Sequence, residues 1–217
     1  DKAGTNWWFG RNNCNWNTVC AGGLGMLALA MLDDAPEAAW ILKRVEQSVQ
    51  PYFKYLNQLK GGWQEGIGYW GYGMRYGFLY LLSWEQAMGR PHPLLNLPGV
   101  KKTVDFPLDF SPHQVFCSFG DVNHYWLHPF HYALAERLNR PDVASRLDAM
   151  LDHPGLKVAQ GRGSWPADVE LLLFHPRRKP SALPVSRRVV KRYPVLDWSF
   201  MADRWPNPNL YLSIRGG

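Results

Sequence analysis

Apolar residues recur at helical spacing between Thr18 and Leu32, where Leu24, Leu27, Ala28, Met31 and Leu32 mark a first helix. Asp33-Asp34 ends it, and Asp34 followed by Pro36 reads as the cap and first turn of a second. There Ala38, Leu42, Val45, Val49, Tyr52, Leu56 and Leu59 alternate by four and three, one continuous buried stripe. Pro51 lies inside that stripe and predicts a kink or a break. A third helix is predicted from about Met74 to Met88, closed by Gly89. Between the second and third helices, Gly61 to Gly73 holds six glycines, two tryptophans and two tyrosines, a poor helix and a poor strand. Two antiparallel helices, a long loop and another helix are the grammar of helical hairpins packed in a ring or array.

Residues 90 to 128 are Pro-rich and poorly periodic, an excursion of the kind that carries function in compact domains. Helices resume at about Pro129–Leu138, Asp142–Leu151 and Pro166–Phe174. After Pro176 the pattern changes. Val185–Val195, Leu196–Ala202 and Leu210–Ile214 carry β-branched and aromatic residues between turn signals such as Trp205-Pro206-Asn207-Pro208-Asn209. Three strands bury little sheet surface by themselves. The expectation is therefore a mainly α chain with a helical unit over 1–176. A linker and the first strands of a β domain follow over 177–217, as a piece of a longer protein.

Composition narrows this. The chain has 217 residues, of which 46% are hydrophobic and 19% charged, enough apolar content for a packed core and against intrinsic disorder. No run of about eighteen apolar residues predicts a membrane span. A net charge of +6 favours anionic partners. The densest basic run, Arg177-Arg178-Lys179 to Lys191-Arg192, is broken by Pro180 and Pro184 and reads as a solvated linker. Aromatics set among glycines, not among Lys and Arg, speak against single-stranded nucleic acid. Gly71-Tyr72-Gly73 lacks the setting of a phosphate cradle. The three cysteines, Cys14, Cys20 and Cys117, have no metal-type spacing. His124, His128 and His131 have no partner carboxylate at ligand spacing except Asp121, so no metal is assigned.

The glycine-rich aromatic segment supplies flat rings with polar edges, and Glu65 in its middle, suited to a polar ring-shaped ligand such as a sugar. The same rings also suit the plugging of a core. Asn13 to Leu24 (Asn-Cys-Asn-Trp-Asn-Thr-Val-Cys-Ala-Gly-Gly-Leu) resembles a stretch of the heparinase II/III-like polysaccharide lyases. Gly61 to Tyr76 resembles that family's Gly-Gly-Trp-x-Glu-Gly-x-Gly-Tyr-Trp-x-Tyr-Gly loop, and Phe116 to Asp121 a weaker segment. The similarity spans nearly the whole chain, with the first two motifs the specific ones. It implies an incomplete α/α toroid of antiparallel helical hairpins followed by an antiparallel β-sandwich, of which this chain holds the end and the beginning. It also implies β-elimination of a uronate-containing polysaccharide in the periplasm or outside the cell. The family's metal site would lie beyond Gly217, in the rest of the sandwich, so no cofactor is expected in this chain.

Elimination beside a uronate needs the carboxylate neutralised, the C5 proton removed and the departing 4-oxygen protonated. The resemblance gives the first task to Asn15 and the acid/base role to Tyr72, with Tyr69 second. The family histidine that follows the asparagine is replaced here by Trp16. Trp16, Trp63, Glu65, Trp70, Arg75 and His124 are the expected substrate contacts, with His113 an alternative to His124. Arg75, one turn from Tyr72, can lower the phenol pKa or hold a carboxylate, and can equally be a structural ion pair. Asn15 also reads as a helix cap. A glycan-binding module without turnover is the alternative function.

Overall fold

The computed structural model describes residues 7–112, 115–122, 125, 127–151, 167–176 and 187–216. The described chain is mainly helical, with a small three-stranded antiparallel sheet near its C-terminus. Three long helices come first: α1 (Asn15–Ala30), α2 (Glu37–Gln58) and α3 (Ile67–Met88). α1 packs against both α2 and α3. Its contact with α3 is possible because glycines remove side chains where the backbones meet. A Cβ on Gly22 would stand 2.6 Å from the Tyr76 carbonyl oxygen, closer than any side chain tolerates.

The α2 stripe is buried as its spacing predicts, with Val49, Tyr52, Phe53 and Leu56 fully enclosed. Two details differ. Pro51 sits inside a helix that continues through it, because the stripe on both sides is anchored in the core. Asp34 does not cap α2; Pro36 holds that position, with no side-chain cap bond.

α3 differs more, since it begins at Ile67 and not near Met74. Half of the glycine-rich segment is therefore helical. Each glycine costs roughly 1 kcal/mol in a helix interior, but Ile67, Trp70, Met74, Phe78 and Leu81 form one apolar face, all buried to within 1% exposure. Packing outweighs propensity here. The turn before the helix keeps its glycine signature, with Gly66 at φ 92° as the N-cap. At the other end Gly89 (φ 63°) closes the helix as expected.

Residues 93–109, read from sequence as irregular, are a chain of short helical turns that includes α4 (Pro98–Lys102) and α5 (Phe106–Asp109). They insert Leu95, Val100, Val104 and Phe106 into the core, with Phe110 just after them. α6 (Phe130–Arg137), α7 (Pro141–Leu151) and α8 (Ala167–Phe174) follow close to the expected ranges.

The strands β1 (Val189–Tyr193), β2 (Trp198–Ala202) and β3 (Tyr211–Arg215) form a meander in that order, with Val190 opposite Met201 and Met201 opposite Leu212. The sheet shares the aromatic core of the helices: Trp198 stacks on Phe106 at 5.7 Å and meets Phe110 at 5.5 Å. Asp109 ties the layers together. It accepts from Tyr193 Oη at 2.7 Å and pairs with Lys191 at 2.5 Å, while its carbonyl accepts from Tyr211 Oη at 2.7 Å. Among the described residues no helix is long and apolar enough to cross a membrane.

His131, fully buried on α6, makes the fold acid-sensitive. Its Nε2–H donates to the Val104 carbonyl at 2.7 Å, and burial lowers its pKa from 6.5 to about 4. The unfolded chain therefore takes up this proton before the folded one does. Stability is full above the unfolded value, begins to fall as pH drops below it, and stops falling near the folded value, a loss of about 3 kcal/mol. Urea unfolding at neutral and acid pH is expected to show this loss in the parent and not in His131→Asn. An equal acid response in both would remove His131 as its source.

Candidate functional site

Three of the expected residues meet at the junction of α1 and α3. Asn15 is the first residue of α1; Cys14 takes the N-cap position without a side-chain cap bond, so Asn15 does not cap the helix. Its side chain packs on α3 where a Cβ at Gly73 would lie 2.9 Å from the Asn15 Cβ. Thr18 fixes the pair of helices from the same turn, donating from Oγ1 to the Gly73 carbonyl at 2.7 Å.

The two asparagines of Asn15-Trp16-Asn17 behave differently. Asn17 Nδ2 donates to the carbonyls of Arg11 and Ser48, both at 2.7 Å, and its Oδ1 accepts from Ser48 Oγ at 3.2 Å. Asn15 is also buried, at 3% exposure, yet its Nδ2 has no hydrogen-bond partner among the described residues. Buried amide N–H groups are almost always satisfied, and an orphan of this kind costs about 1–3 kcal/mol. Asn17 is structural. Asn15 holds a donor in reserve.

Next to Asn15 in sequence, Trp16 opens a strip of aromatic rings that are exposed or half-buried. Trp16 is 45% exposed and Tyr72 37% exposed, and their rings meet edge-on at 6.2 Å. Trp7 extends the strip on one side, 6.4 Å from Trp16, and Tyr76 on the other, 6.2 Å from Tyr72. Tyr69, Tyr72 and Tyr76 fall on one face because α3 is already helical at Ile67. Placing the helix start near Met74 hid Tyr76 from the sequence reading. On the other flank His128 packs against Gly71, where a Cβ would stand 2.0 Å from Nε2.

Electrostatics separates the two candidate tyrosines. The charge of Asp121 raises the Tyr69 pKa first, with burial adding to it. Tyr69 thus faces an acidic neighbour. Tyr72 is also raised, by burial first and then by Tyr76, Cys20 and Tyr69, but no hydrogen bond holds its hydroxyl among the described residues. Both phenols are protonated near neutral pH.

Arg75 does not lower either. Its Nε donates to Glu170 Oε1 at 2.9 Å in a salt bridge, so the structural alternative for Arg75 is the observed one. That partner is 95 residues away and beyond any spacing argument. Glu65 accepts from Trp63 Nε1 at 3.0 Å, and burial raises its pKa.

Two of the expected sugar platforms are core residues. Trp63 and Trp70 are fully buried. Trp63 packs on Tyr52 at 4.7 Å; Trp70 stacks on Phe130 at 5.7 Å and donates from Nε1 to Thr103 Oγ1 at 2.8 Å. Neither offers a face to a ligand. Trp70→Phe, which removes the indole N–H and leaves Thr103 unpaired, is expected to cost about 2 kcal/mol in denaturant unfolding. A change below about 0.5 kcal/mol, the range of surface substitutions, would contradict this placement.

His124 and His113 lie outside the described residues. Among the described residues no three His, Cys, Asp or Glu side chains gather as a metal site requires. Cys14, Cys20 and Cys117 are free thiols. Compared with known proteins, the chain matches no family model and no curated protein.

Proposed function

We propose that the α1–α3 face binds an acidic, uronate-containing polysaccharide and cleaves it by β-elimination. The observation that carries this reading is the buried, unpartnered amide of Asn15 beneath an exposed strip of aromatic rings. A uronate ring laid on Trp16 and Tyr72 has its carboxylate on the α1–α3 junction, where Asn15 packs against Gly73 with an amide that has no partner among the described residues. Arg75 is paired with Glu170, and in this reading the carboxylate is neutralised by hydrogen bonding from Asn15. That acidifies the C5 proton. A base from solvent takes the C5 proton, the C4–C5 double bond forms as the bond to the 4-oxygen breaks, and Tyr72, held protonated, gives its proton to the departing oxygen.

The resemblance of Asn13–Leu24 and Gly61–Tyr76 to heparinase II/III-like lyases agrees with these roles. In that reading the three long helices are the end of an α/α toroid and the meander is the opening of a β-sandwich, with the substrate met outside the cytoplasm. The binding-only alternative draws on one fact: Trp16 stands where the family carries histidine.

The test is direct. The chain is incubated with heparan sulfate, alginate and other uronate polymers, and formation of the unsaturated uronate is followed by its ultraviolet absorbance. Product supports the lyase. Saturable binding without product selects the non-catalytic module, and no affinity for any uronate polymer removes both.

A further inference from the structure

α1 reverses the usual pattern of a surface helix. Its buried side is built from small residues, Thr18, Ala21, Gly22, Gly25 and Ala28, while Leu24, Leu27 and Met31 are exposed. Together with Trp16, Cys20 and Gly23 these exposed residues fall within an arc of about 100°, because their spacing follows the helical period. No charged side chain occurs from Asn12 to Leu32. A helix that is apolar all round belongs in an interior. Among the described residues, however, α2 and α3 cover only the side that carries the small residues.

Two further features bear on what covers the other side. Gly22 and Gly25 are required by packing within the chain; a Cβ on Gly25 would stand 2.5 Å from the Tyr80 ring. Gly23 is not, since a Cβ there meets nothing within 4 Å. Glycine weakens a helix, so a notch kept at the middle of the apolar stripe suits a close approach from outside the chain. The second feature is charge. Arg11 lies just before the helix and Asp33-Asp34 just after it, all three exposed and without an ion pair among the described residues.

We propose that this face binds a second copy of the chain, with the two α1 helices antiparallel across a two-fold axis. An axis between Gly23 and Leu24 sets Trp16 against Met31, Cys20 against Leu27 and Gly23 against Leu24 of the second copy, so every member of the stripe meets another member. The same rotation carries Arg11 towards Asp33 and Asp34 of the second copy at both ends and opposes the helix dipoles. A parallel pair would set like charges together. A different partner would need the same spacing with the charges exchanged, and an antiparallel copy has both. The stripe is about 24 Å long, and two such faces bury on the order of 1,000 Å² in total, the lower limit for specific association. The dimer is therefore weak, with a dissociation constant in the micromolar range. Trp16 also belongs to the Trp16–Tyr72 strip, so the second copy and a glycan compete for that ring.

Sedimentation equilibrium of the 217-residue chain, from about 1 to 200 μM, is expected to show monomer and dimer in exchange. Leu27 is 55% exposed, so Leu27→Glu leaves the monomer folded. Its dissociation constant should rise at least about 100-fold, because symmetry applies the loss twice. Gly23→Leu enters open space in the monomer, and should weaken the dimer while leaving helical circular dichroism unchanged. Charge exchange reads the orientation. Arg11→Glu alone, or Asp33→Lys with Asp34→Lys, should weaken association roughly tenfold, and all three together should restore it. A monomer at every concentration, or a dimer indifferent to Leu27→Glu and Gly23→Leu, would overturn the interface. Failure of the triple exchange to restore association would overturn the antiparallel arrangement. A monomer that binds phosphatidylcholine vesicles through Leu27 would assign the face to a lipid surface instead of a second copy. No polysaccharide is present, so none of these results bears on the lyase reading.

Discussion

Tyr72→Phe is expected to lower the rate of product formation by a factor of about 100 to 10,000, the usual contribution of a positioned proton donor. The substitution removes one oxygen and keeps the ring, so the edge contacts with Trp16 and Tyr76, each at 6.2 Å, survive. The hydroxyl has no hydrogen bond among the described residues to lose, and stability should stay within about 0.5 kcal/mol. Affinity for the polymer should also persist, since the ring still offers its face. The pH profile gives a separate check. With the phenol pKa raised, the proton donor stays loaded through neutral pH, and its loss should limit the rate only on the alkaline side of the ordinary tyrosine value. Tyr69→Phe should have a smaller effect, because the negative charge of Asp121 beside that hydroxyl opposes release of its proton. An unchanged rate in Tyr72→Phe, with product still formed, would take Tyr72 out of the mechanism.

Periodicity made α2 and the three strands readable, because burial on one face repeats along an element and leaves its mark on every turn. It failed at α3 for a physical reason. Gly68, Gly71, Gly73 and Gly77 argue locally against a helix, and the contacts that overrule them come from residues far along the chain, such as His128 against Gly71. The same mechanism misplaced Trp63 and Trp70. An aromatic beside glycine is compatible with an open wall or with a tightly packed interior, and only the neighbours decide. Thr103 and Phe130 decide for Trp70. Arg75 was ambiguous until Glu170 appeared beside it. Asn15 was ambiguous in the opposite sense: its type suited a cap, and what marks it out is that Nδ2 has no partner among the described residues.

That absence makes Asn15→Leu the most discriminating substitution in the molecule. Structural asparagines lose stability when replaced, because the groups they bonded are left unpaired in the interior. Asn17, bonded to Arg11 and Ser48, should follow that rule and cost about 2 kcal/mol as Asn17→Leu. Asn15→Leu removes an unsatisfied buried amide and fills nearly the same volume with methyl groups. Its stability should be unchanged or higher by about 1 kcal/mol. Its rate of elimination should fall by about 100 to 1,000, comparable to the loss of one donor from an oxyanion hole. A protein that gains stability while losing turnover has been keeping a polar group for chemistry and not for folding. Denaturant unfolding and the absorbance assay on the same two variants separate the cases. If Asn15→Leu unfolds as easily as Asn17→Leu and eliminates at the parent rate, the amide is a packing residue and the α1–α3 face loses its claim to the uronate.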